Sequence, residues 1–171
     1  IIILLFLIGI AGLGYIKKSM SGGPGSYIAS FAWFLIILGS AGQLGEAAFT
    51  LATAEASDNA AVAAVAAAGG DAVAAATAVA NSAVAASMCA SGQAIGAVTT
   101  AFSMLGIALL GIGILQQKNF SPLIAGLMIV AGIFTLVMCL VDYESQIIAI
   151  GYIGVVVSFV CLGASLLTQK E

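Results

Sequence analysis

Long apolar blocks separated by short polar turns set the pattern of this chain. The first block runs from Ile1 to about Ile16 and stops at Lys17-Lys18. The linker from Ser19 to Gly25 is turn chemistry, with Pro24 among its glycines. Further blocks cover about 27–51, 93–115, 122–141 and 147–168. None alternates polar and apolar residues, as membrane barrel strands do over roughly ten residues. Lipid offers the backbone no hydrogen bonds, so such blocks cross a bilayer as helices. The pattern predicts an all-α fold, a polytopic transmembrane bundle of about five membrane helices forming one membrane domain over 1–171.

Between the second and third blocks the pattern changes. Residues 54–90 are dominated by alanine, with Val62, Val65, Val73, Val79 and Val84 spaced among them. Alanine forms helix readily but is only marginally hydrophobic. Ser57 and Asp58 are good N-caps for a helix ending near Gly69-Gly70, and Asp71 for a second reaching about Ser87. Two short Ala-rich helices are therefore expected in an extracytoplasmic insert over about 54–90. The first block covers only about 24 Å at about 1.5 Å per residue, short of the roughly 30 Å core. With Ile as the first residue, this leads to the expectation of further residues, and another helix, upstream.

Composition reinforces the membrane reading. The 171 residues are 63% hydrophobic and 6% charged, with a mean hydropathy of +1.24. A soluble domain carries about 25% charged residues. The four basic residues are all lysines, against seven acids. No basic patch is present, which argues against nucleic acid as a partner. There is no histidine, which removes the commonest general base, metal ligand and axial ligand of haem or pigments. No cofactor is expected. Cys89, Cys139 and Cys161 share no metal-binding spacing, and whether Cys89 and Cys139 pair is open.

Charge also sets an orientation. With Lys17 and Lys18 cytoplasmic, successive crossings put 51–92 outside, Lys118 inside, Asp142 and Glu144 outside, and Lys170 inside. All four lysines then face the cytoplasm, as the positive-inside rule requires. The Ala-rich insert must cross zero times or twice. The expected location is a bacterial or archaeal inner or plasma membrane.

A Gly-punctuated helix from Leu105-Gly106 to Gly113 leads into the basic turn Gln117-Lys118-Asn119-Phe120-Ser121-Pro122, and a helix with Gly126 and Gly132 follows. At the front, an apolar helix, Lys17-Lys18, a short loop and Ala29 to Phe34 come in order. This layout resembles an uncharacterised family of six-helix bacterial membrane proteins, a domain of unknown function. The resemblance implies that the first family helix is absent here and five remain. Leu123 stands where a basic residue would be expected just after the turn proline. The family brings no assigned chemistry.

Few residues are candidates for chemistry. Glu46 and Gln43 lie three apart on one helical face near the outward end of their block, a candidate polar or ion path with Thr99-Thr100. The plainer reading is a hydrated interfacial carboxylate. Small residues at Gly42, Gly45, Gly92, Gly96, Gly154 and Ser158 form candidate packing faces, including a G-x-x-x-G at 92–96. Asp58 and Asp71 read as helix caps rather than cation ligands. The glycines from Gly9 to Gly14 lie inside an apolar helix, with no strand before them, so they form no nucleotide loop. No Ser/His/Asp set exists, and an enzyme is not expected. The functional expectation is a structural or accessory membrane protein packing against lipid, partner subunits or itself. A small transporter or channel is the alternative.

Overall fold

The computed structural model describes residues 2–118 and 120–168, with the side chains of 2–7 and Thr168 left aside. Lys170 and Asn119 lie outside the described residues. Five helices follow in order: α1 (Ile2–Ser19), α2 (Ser26–Ala67), α3 (Ala72–Gln117), α4 (Pro122–Val141) and α5 (Ile148–Thr168). Helices α2 to α5 are long and apolar enough to cross a membrane.

The two separate Ala-rich helices are a correction. Ser57 and Asp58 cap nothing; α2 runs straight through them as a helix of 42 residues. Likewise α3 continues past Ser87 and Gly92 for 46 residues. The cause is local. Alanine has the highest helix propensity, and no proline interrupts either stretch. The Ser57 hydroxyl that might have capped a new helix bonds instead to the Thr53 carbonyl one turn back at 2.8 Å, and within α3 Ser91 likewise bonds to the Ser87 carbonyl at 2.9 Å. Helix α2 ends just before the chain makes a left-handed turn at Gly70, with φ +90°. Asp71 then caps α3, its Oδ1 accepting from the Val73 and Ala74 amides at 2.9 and 3.1 Å.

The chain divides into two compact units, residues 1–40 with 98–171, and residues 41–97. In the first, Met20, Leu110, Ile114, Met128 and Leu162 are the largest fully buried side chains. Small residues set its helix spacings. A Cβ added at Gly132 of α4 would lie 2.8 Å from the Met104 carbonyl and 2.9 Å from the Ala108 nitrogen of α3. On α5, a Cβ at Gly154 would lie 2.9 Å from Ala131 Cβ of α4. The buried positions of α4, Ala125, Met128, Gly132, Thr135 and Cys139, step by three and four, one stripe facing its neighbours.

The ends of this unit differ in charge. Gly23, in the turn after Lys17-Lys18, lies against the Gln117 side chain beside Lys118, and Gly25 lies against the Gly113 carbonyl. Both basic turns are thus at one end. The acidic turn at Asp142 and Glu144 is at the opposite end of α4 from Pro122, and Tyr143 Oη there lies 3.5 Å from Thr100 Oγ1.

Candidate functional site

Among the described residues, the buried polar side chains are Ser40, Thr100, Ser103, Thr135 and Ser158, all hydroxyls and all in or at the edge of the first unit. Thr135 and Ser158 donate to the Ala131 and Gly154 carbonyls one turn back, both at 2.8 Å. Ser158 therefore packs as a small buried residue on α5 in the same turn as Gly154. Ser103 Oγ is buried without a hydrogen-bond partner, against Gly39.

The candidate ionisable chemistry lies in the second unit. Its two helical segments pair through a seven-residue repeat. On α2, Gly42, Phe49, Ala56 and Ala63, and with them Glu46, Thr53, Ala60 and Ala67, are buried or half-buried. On α3, the matching series are Ala74, Asn81, Met88 and Ile95, and Ala78, Ala85 and Gly92. Positions repeating every seven residues keep two helices in continuous contact, the geometry of a coiled coil. A Cβ at Gly92 would lie 3.0 Å from Phe49 Cβ, and Gly96 lies against Glu46, so rising numbers on α3 meet falling numbers on α2. The pairing is an antiparallel coiled coil with an alanine seam. The seam is hard to see in the sequence, because alanine also fills the positions facing outward. Only the spacing of Phe49, Met88, Ile95 and the glycines marks it.

Glu46 interrupts this seam. Its carboxylate rests where a Cβ of residue 96 would stand, so glycine is what admits it. Gly45 has looser surroundings, with Ile95 Cγ2 3.9 Å from an added Cβ, and Gly42 is half-buried on the same helix. Around Glu46 is a groove of about 200 Å³ lined by Thr50, Thr53, Met88, Cys89, Gly92 and Gln93. Gln43 shares a second, shallower groove with Glu46, Ala47, Thr50 and Leu51. The structure thus gathers Gln43, Glu46, Gly92 and Gly96 in one place. Thr99 and Thr100 belong to the first unit. Sequence reasoning missed Thr50 and Thr53, which share the face of Glu46 on α2, and Met88 and Gln93, which reach it only through the register of the pairing. Among the described residues, no three His, Cys, Asp or Glu side chains are placed to hold a metal ion.

No family model, curated protein or solved structure matches this chain.

Proposed function

We propose that this is an integral membrane protein of accessory type, in which the 41–97 coiled coil serves as an assembly surface for other membrane subunits or further copies of the chain. The observation that carries this reading is the surface of that unit. Residues 41–97 contain four carboxylates and no lysine, while Leu51, Val62, Val65, Val73 and Val79 are each more than 70% exposed. A water-facing surface carries about 25–35% charged residues. Apolar side chains exposed to this degree, with so few charges among them, mark contact with protein or lipid.

Helix lengths support the same reading. At 1.5 Å per residue, α2 and α3 are about 63 and 69 Å long, against a hydrocarbon core of about 30 Å. Helices α4 and α5, at 20 and 21 residues, match that core once. In this reading Lys17, Lys18 and Lys118 face the cytoplasm and Asp142 and Glu144 the opposite side. A second reading, transport along Glu46 and Gln43, is favoured by their shared groove alone. The membrane-extracted chain, weighed by native mass spectrometry in mild detergent, tests the accessory role. A defined assembly supports it, whereas a monomer that copurifies with nothing moves the weight to transport, tested next by Glu46→Gln in liposomes.

A further inference from the structure

Glycines of the first unit divide into two kinds. At Gly106, Gly111, Gly132 and Gly154 an added Cβ would meet a neighbouring helix, so these positions set helix spacing. At Gly9 and Gly12 of α1 and Gly163 of α5 it would meet nothing within 4 Å. These three line a groove between α1 and α5, walled by Leu13, Ile16 and Phe159, with a volume of about 150 Å³. All three glycines are exposed, so the groove faces outward.

The groove has a direction. Gly151 of α5 lies against Thr135 of α4 and Gly154 against Ala131, so these two helices are antiparallel. Helix α5 therefore runs from the acidic turn toward the basic end of the unit, as α1 does toward Lys17-Lys18. From Gly9 to Ile16 the α1 wall is about 10 Å long at about 1.5 Å per residue. That fits within one leaflet, roughly half of a core about 30 Å thick. Just beyond it, Lys17 continues the i, i+4 row of Gly9 and Leu13, with Lys18 beside it. No acidic residue precedes Glu46 in the sequence, so the charge here is positive.

Shape and charge together select the occupant. The lining is apolar, and such a volume accepts about six carbons, the size of benzene. Another helix, about 10 Å across with its side chains, would cover the groove without filling it. A single acyl chain is narrow enough to enter. The lysines at the mouth suit the phosphate of an anionic headgroup, whose oxygens accept from ammonium groups. Basic residues just cytoplasmic of a membrane helix attract anionic lipid.

We propose that this groove holds an acyl chain of an anionic phospholipid of the cytoplasmic leaflet, its phosphate received by Lys17 and Lys18. The site rests on the membrane reading and not on the assembly role. In the test, the full chain in mild detergent is offered phosphatidylglycerol and phosphatidylcholine with identical acyl chains at equal concentration. Bound lipid is counted by native mass spectrometry. Phosphatidylglycerol is expected to predominate, and Lys17→Gln to weaken its binding about fivefold. Gly163→Leu, a side chain added in open space, should remove the adduct with both lysines in place. Gly126→Leu, at an equally open glycine of α4 outside the groove, should leave it unchanged. Equal binding of the two lipids would overturn the proposal, as would an undiminished adduct in Gly163→Leu with its helicity intact. So would a lipid-free dimer dispersed by Gly163→Leu, which would give the groove to a second copy. A chain released from membranes by an alkaline wash without detergent would overturn the membrane reading, and this site with it.

Discussion

The Glu46 carboxylate fills the space that any side chain at residue 96 would need. This contact joins α2 and α3 across fifty residues of sequence, at a point where the neighbouring seam positions are Gly42, Phe49, Gly92 and Ile95. Gly96→Ala is expected to expel the carboxylate from the seam. Overpacking of this kind costs about 1–3 kcal/mol. The midpoint of thermal unfolding, followed by far-ultraviolet circular dichroism in detergent, should fall. The Gly96→Ala/Glu46→Ala double variant should recover much of the loss, because the three atoms nearest the added Cβ all belong to that side chain.

Gly132 and Gly126 lie on the same helix and differ in surroundings. A Cβ at 132 meets backbone atoms of α3, which cannot move aside, whereas one at 126 has nothing within 4 Å. Gly132→Ala should therefore destabilise the first unit by about 1–3 kcal/mol. Gly126→Ala should be neutral or add up to about 1 kcal/mol from helix propensity. Equal effects in unfolding titrations would contradict the close approach of α3 and α4.

Two aspartates that look alike in the sequence should behave oppositely. Asp71 accepts from two amides at the start of α3, so Asp71→Ala should cost about 1 kcal/mol. Asp58 is exposed in the middle of α2, where Asp58→Ala should gain a few tenths of a kcal/mol, about the difference in helix propensity. Unfolding midpoints of the two variants, measured side by side, check this.

The proposed orientation, with both basic turns of the first unit in the cytoplasm, is tested by accessibility at its two ends. In a background without native cysteines, Glu144→Cys should react with an impermeant maleimide on intact cells. Ser21→Cys should react only after permeabilisation. The reverse pattern would invert the membrane topology.

The fourth and fifth apolar blocks were legible because polar turns and Pro122 bound them closely, and α4 begins at that proline. The end of α2 was legible too, since Gly70 and Asp71 have distinct backbone roles. The long helices were not. Ser57 and Asp58 carry cap chemistry, but capping is a preference of about 1 kcal/mol that a flanking run of alanine overrides. Glu46 could be singled out as an unusual carboxylate, yet its groove could not. Thr50 and Thr53 share its face by spacing alone, whereas Met88, Cys89 and Gln93 reach it only through the register of α3 on α2.

The apolar outer face of the 41–97 unit is the proposed assembly surface, and Val62 and Val65, three apart on α2, share one side of it. Native mass spectrometry of the gently extracted wild-type chain, beside Val62→Lys/Val65→Lys, tests this most directly. Both valines are exposed, so the double variant should keep its helicity. A defined assembly for the wild type that is lost in the variant is the predicted result; a wild type that is already a bare monomer, or an assembly untouched by two lysines, contradicts it.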